Sequence, residues 1–214
     1  MAYPIGKLIV KPITELWIRR IEGIENIPKN KPFIIAANHT SYYDALLVPS
    51  VVAPIADKNI HALANSFYWK PLITRFFLNI WEAIPVYVEK DNHSKKKNKE
   101  AIAKALDYIK NGDLLIVFPE GKRSKDGKLQ KAYNGIAKLA LKAKVPVLPI
   151  GVIGANKVLP TGVFFPRFAR CEVRIGKPMH FGKYYNKINE ETLNGITTNI
   201  MKEIAKLTNQ KYNY

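Results

Sequence analysis

His39 and Asp44 stand five positions apart in the stretch NHTSYYDA, directly after the apolar run KPFIIAA. Open α/β sheets bind ligands at the carboxyl ends of their strands, so polar residues placed there are candidates for chemistry. If a helix starts near Ser41, the loop holds His39 and the first helical turn holds Asp44. The carboxylate can then accept a hydrogen bond from one imidazole nitrogen and leave the other as a base. The same residues support a structural reading. Ser41-x-x-Asp44 is close to a capping box, in which the serine caps and the acid faces the positive end of the helix dipole.

A second polar cluster, Phe118-Pro119-Glu120-Gly121-Lys122-Arg123-Ser124, also ends an apolar run, DLLIVF. Backbone amides near Gly121, the guanidinium fork of Arg123 and the Ser124 hydroxyl can together seat a phosphate. A solvated turn, like the KDGK that follows, is the alternative.

Other chemistries find no support. The chain has no G-x-S-x-G and no G-x-G-x-x-G, and Gly121 to Lys128 misses phosphate-loop spacing by one residue. His39, His61, His93 and His180 lack metal-ligand spacing. The single cysteine, Cys171, excludes an internal disulfide and reads as a buried structural thiol.

The elements that must position these motifs alternate. PFIIAAN, HALAN, AIPVYV, DLLIVF, VPVLPIGVI and CEVRIG read as strands. SYYDALLVPSVV begins a helix that Pro49 should disturb, and PLITRFFLN, EAIAKALDYIKNG, GIAKLALKA and residues 190–208 read as further helices. EKDNHSKKKNK reads as a lysine-rich linker. The alternation predicts one α/β domain with a largely parallel sheet flanked by helices, plus a short N-terminal amphipathic helix. That N-terminal segment, 1–22, carries an apolar stripe from Ile5 to Ile21 interrupted by Pro12, and reads either as a membrane-surface anchor or as a helix packed on the remaining domain, 23–214.

Thirty-four basic against 17 acidic residues give a net charge of +17, which reads either as attraction to an anionic partner or as a lysine-rich surface kept for solubility. Nucleic acid is disfavoured by the lack of a recognition motif or an aromatic platform tied to a basic face. No stretch approaches the roughly 18 apolar residues of a spanning helix. VFFPRF, residues 163–168, reads as core packing or as a lipid-dipping segment.

Taken together, the two motifs resemble the glycerolipid acyltransferase family, of the bacterial 1-acylglycerol-3-phosphate acyltransferase type. The pattern N-H-x-x-x-x-D appears as Asn38-His39 through Asp44, F-P-E-G-x-R-S as Phe118 to Ser124, and V-P-[IV]-x-P as Val145 to Pro149. The likeness runs from about Arg19 to Gly176. In place of the family's middle-motif arginine the chain offers only Lys90, out of register, and Lys122 stands where threonine is commoner.

The resemblance implies transfer of a fatty acyl group from acyl carrier protein or coenzyme A to the free hydroxyl of lysophosphatidate. His39 would be the general base and Asp44 its orienting partner. Arg123, Gly121, Ser124, Glu120 and Lys90 would serve acceptor binding, with Glu120 organising its loop. The resemblance implies no cofactor beyond the thioester co-substrate. It also implies a peripheral, monotopic place on the cytoplasmic face of the membrane, against an anionic surface. Another lysophospholipid or glycerol 3-phosphate as acceptor, thioester hydrolysis, and a non-enzymatic anionic membrane or nucleic-acid binder remain as alternatives.

Overall fold

Residues Ile34–Ala37 form β2, and all four are fully buried. A strand without a polar position needs cover on both faces, and it has it. Ile35 and Ala37 pack toward the helix Asp44–Ala56 (α2), while Ile34 and Ala36 pack with Gly135–Ala143 (α5), Asn92–Lys110 (α4) and the closing helix Glu190–Thr208. The computed structural model describes residues 11–87, 92–163 and 165–214.

Around β2 lie Ile18–Glu22 (β1), Ile60–Asn65 (β3), Ile84–Val86 (β4), Leu114–Val117 (β5), Val147–Ile153 (β6) and Cys171–Ile175 (β7). Among the described residues the sheet has seven strands in the order β1-β7-β6-β2-β5-β3-β4. Every pairing is parallel except β6 with β7. The fold is therefore the single α/β domain expected. From β2 the chain crosses over one face through α2 to β3, and from β5 it crosses the other face through α5 to β6, in the opposite direction. The carboxyl ends of β2 and β5 thus flank a point where the winding reverses, the place such sheets open a crevice.

Three expectations need correction. The N-terminal stripe does not continue as a helix: Lys11–Glu15 (α1) is helical, but Ile18–Glu22 is a strand paired parallel to β7. Ile18 and Ile21 pack against the core beneath α2, and that pairing outweighs the local periodicity. A boundary after residue 22 would therefore separate this strand from the sheet it belongs to; residues 1–10 of the proposed anchor lie outside the described residues. The lysine-rich linker is largely helix, because α4 begins at Asn92. Asn98 there clasps both backbone groups of Tyr87, accepting from its N–H at 2.8 Å and donating to its carbonyl at 2.7 Å. Finally, α2 runs through both Pro49 and Pro54. An interior proline costs about 3 kcal/mol, but Leu47, Val48, Val51 and Val52 of this helix are buried, each contributing roughly 1.5–3 kcal/mol.

Phe165 and Phe168 of the 163–168 segment are exposed, so core packing is not their role, and Phe164 lies outside the described residues. Among the described residues no helix is long and apolar enough to cross a membrane.

Candidate active site

Asn38 follows the last residue of β2, and its side chain continues the ladder. Its Nδ2 donates to the Val152 carbonyl at 2.9 Å, and its Oδ1 accepts from the Val152 N–H at 2.7 Å. This fixes where the chain leaves the sheet, and so where His39 begins.

Asp44 is fully buried as the first residue of α2. Its Oδ2 lies 3.0 Å from His39 Nδ1 and also accepts from the Thr40 and Ser41 amides at 2.6 and 2.7 Å. Both readings of the motif are therefore partly realised. The acid reaches back to the loop amides as in a capping box, and the same oxygen orients the imidazole. The serine half of the box differs: Ser41 Oγ accepts from the Tyr43 amide and donates to the Leu159 carbonyl. The His39 ring is 17% exposed and stacks on Phe118 with centroids 4.0 Å apart. Its Nε2 has no partner among the described residues, which is the state a general base needs.

The 118–124 loop is laced to the same corner. The His39 N–H donates to Glu120 Oε1 at 2.9 Å, the Gln130 N–H donates to Oε2 at 2.8 Å, and the Ser124 N–H donates to the His39 carbonyl at 2.7 Å. Glu120 is fully buried, and that burial pushes its carboxyl up to about 7 against the pull of the two amides, with the nearby Asp44 charge adding to the rise. Arg123 projects from this loop with its Cζ 3.5 Å from the centre of the Tyr42 ring, and its Nη2 donates to Tyr68 Oη at 3.0 Å. Its Nη1 is buried without a partner among the described residues. An unpaired buried guanidinium donor is costly, and an anion placed there would satisfy it.

Expected and observed roles separate here. His39, Asp44 and the Arg123 loop come together. Glu120 and Ser124 face inward instead of toward a ligand: both Glu120 oxygens are taken by amides, and Ser124 Oγ donates to Asp126. The Gly121 N–H closes a turn on the Phe118 carbonyl at 3.0 Å instead of facing an anion. Gly121 is needed for its shape, since φ is +67° and a Cβ would meet the Tyr133 ring at 3.0 Å. Lys90 lies outside the described residues. Cys171 is buried, with its thiol pushed up to about 12 mainly by that burial, as a structural thiol requires.

An imidazole–carboxylate pair at the end of β2 is thus joined through the backbone to an arginine loop at the end of β5. A family model described as Acyltransferase matches residues 18–153. The chain belongs to that family. Among acyltransferases of known structure it is similar to the 1-acyl-sn-glycerophosphate acyltransferase of Thermotoga maritima, with TM-score 0.67 and 26% identity over 98% of this chain and 83% of that one. It is 25% identical to the 1-acyl-sn-glycerol-3-phosphate acyltransferase of Bacillus subtilis, over 89% of this chain and 88% of that protein. It is 27% identical to a chloroplastic 1-acyl-sn-glycerol-3-phosphate acyltransferase of Arabidopsis thaliana, over 76% of this chain but 44% of that protein. The chain spans about half the length of the plant relatives it matches.

Some contributors to this candidate site carry little sequence signal. Tyr42 lies inside the first motif and Phe118 opens the second, yet no spacing rule says that one stacks on Arg123 and the other on His39. Tyr68 lies between the motifs and shows itself only through folding.

Proposed function

We propose that the protein is a 1-acylglycerol-3-phosphate acyltransferase, moving a fatty acyl group from a coenzyme A or acyl carrier protein thioester to lysophosphatidate in phospholipid biosynthesis. The observation that carries this is the His39 Nδ1 to Asp44 Oδ2 pair at 3.0 Å, with Nε2 left without a partner among the described residues. Nε2 takes the proton of the acceptor hydroxyl as its oxygen attacks the thioester carbonyl carbon. A C–O bond forms, the tetrahedral centre collapses, the C–S bond breaks, and the imidazolium returns its proton to the thiolate. Asp44 holds the tautomer and stabilises the transient imidazolium. Arg123 supplies the positive charge for the acceptor phosphate.

The names of the Bacillus and Thermotoga relatives support this acceptor, and those proteins match over most of their length. The net charge of +17 suits donor, acceptor and an anionic bilayer alike, which supports a peripheral place on the cytoplasmic face of the membrane. The test is incubation with labelled acyl-coenzyme A or acyl carrier protein, with and without lysophosphatidate. Labelled phosphatidate formed only with acceptor is expected. Free fatty acid formed equally without acceptor would instead make the protein a thioester hydrolase.

A further inference from the structure

We propose that the helix Leu72–Ile80 (α3), with the turn Ser66–Trp69 before it, is the surface by which this protein docks on an anionic lipid bilayer, beside the Arg123 end of the site. This rests on the acyltransferase reading only where it says what the docked protein receives there.

The helix is apolar, yet none of its residues is buried. Leu72 is 79% exposed, Ile73 75%, Phe76 61%, Ile80 54% and Phe77 47%, and Phe67 of the preceding turn is 57% exposed. A contiguous patch of this kind marks an interaction surface. It is internally bonded, not frayed: Trp69 Nε1 donates to Asn79 Oδ1 at 3.0 Å, Thr74 Oγ1 to the Tyr68 carbonyl at 2.6 Å, and the Ala83 N–H to the Leu78 carbonyl at 2.8 Å.

Charge selects the occupant. From Lys58 to Trp81 the sequence holds Lys58, Lys70 and Arg75 and no aspartate or glutamate. A second copy would bring the same cations to the same face, which opposes self-association. An anionic bilayer accepts apolar side chains on adjacent positions such as Phe76 and Phe77, and its headgroups attract the lysine and arginine. Tyr68, in the same turn, accepts from Arg123 Nη2 at 3.0 Å and meets Tyr42 edge to face. The docked face therefore adjoins the cation assigned to the acceptor headgroup, so an acceptor lipid reaches it with its chain still among other chains.

The test is co-sedimentation of the full chain with vesicles of equal parts phosphatidylglycerol and phosphatidylcholine, and with pure phosphatidylcholine. Binding to the mixed vesicles is expected. The double variant Ile73→Asp, Phe76→Asp should weaken it by about tenfold or more without lowering the melting temperature, since both side chains are exposed. Lys70→Glu with Arg75→Glu should weaken binding to the mixed vesicles and leave that to phosphatidylcholine nearly unchanged. Unchanged vesicle binding by the aspartate variant overturns the proposal. So does a wild-type dimer on a sizing column that the same variant dissolves, because a second copy would then cover the face. His39→Ala should bind vesicles like wild type. The aspartate variant should still acylate a short-chain acceptor dissolved below its micelle concentration. Vesicle binding lost in the aspartate variant while no form transfers acyl groups would remove the enzymatic reading and leave the docking face. Acyl transfer with vesicle binding indifferent to α3 would do the reverse.

Discussion

The corner from Asn38 to Asp44 and the segment from Ser66 to Trp81 flank the same arginine loop, and they are built on opposite plans. In the corner, Asn38, Thr40, Ser41 and Asp44 are buried, and backbone groups there find partners in side chains, with one Asp44 oxygen taking three donors. In the segment, large apolar side chains project outward with nothing from the described chain over them. A region whose backbone groups are held by its own side chains is preorganised and needs no partner to hold its geometry. A region that leaves apolar surface in water has its missing contacts outside the fold. On the proposed reading the corner does the chemistry and the segment the delivery, and substitutions should separate the two.

The largest effect should come from the corner. In Asp44→Asn, the side-chain oxygen can keep the His39, Thr40 and Ser41 contacts, while the new NH2 occupies the position of Oδ1, which has no partner among the described residues. The fold should persist with a small change in melting temperature. The imidazolium loses its counter-charge, so kcat should fall by about 10³–10⁴-fold. His39→Ala should lose at least as much. Single-turnover rates beside thermal melts would check this. A fully active but unstable Asp44→Asn would reduce the aspartate to a helix cap.

Next in size is Arg123→Ala. Removing the guanidinium deletes the cation whose Nη1 is buried and unpaired among the described residues, so KM for the acceptor should rise by about 10–100-fold while kcat changes less. Arg123→Lys should recover little, because a point charge neither stacks flat on Tyr42 nor keeps the hydrogen bond to Tyr68 in the same geometry. An unchanged acceptor KM in both variants would move the phosphate seat elsewhere.

How much of this could be read in advance depended on the range of the interactions. His39 and Asp44 are separated by only four residues of local chain, so spacing alone brought them near one another. The Ile34–Ala37 run announced a strand because burial on both faces demands an unbroken apolar stretch. Ile18–Glu22 misled, because its helical spacing is overruled by pairing with a strand some 150 residues later, and no local pattern reports such a partner. Glu120 and Ser124 looked like ligand groups by their types, yet their partners are backbone amides and Asp126, and sequence does not show where a side chain turns. Tyr68 is the extreme case: a tyrosine in an unremarkable turn becomes the neighbour of Arg123 only when β3 and β5 lie side by side.

Glu120 gives a smaller, pH-dependent effect on the corner's stability. Its folded carboxyl titrates near 7, raised above the ordinary 4.5 mainly by burial. Between those values the folded protein holds a proton that the unfolded chain has released. Its contribution is therefore most favourable at acid pH, falls as pH rises through that window, and levels off above about 7. The slope cannot exceed about 1.4 kcal/mol per pH unit. Glu120→Gln should abolish that slope, and should lower stability by about 1–3 kcal/mol, because its NH2 must face the N–H of His39 or of Gln130. Urea unfolding of both proteins from about pH 5 to about pH 8 measures the difference. Parallel curves would mean that Glu120 stays ionised throughout.

The smallest effect should arise where the two regions touch. Tyr68→Phe keeps the ring that meets Tyr42 edge to face and removes only the oxygen that accepts from Arg123 Nη2. If that bond merely fills space, the acceptor KM should not move. If it holds the guanidinium in position, KM should rise by about 2–10-fold with kcat preserved, the size of one net hydrogen bond. The vesicle affinity should stay at the wild-type value, because the apolar residues of α3 are untouched. A change in vesicle binding equal to that of the aspartate variant would mean that the hydroxyl stabilises the segment itself, and the two regions would then be one unit instead of two.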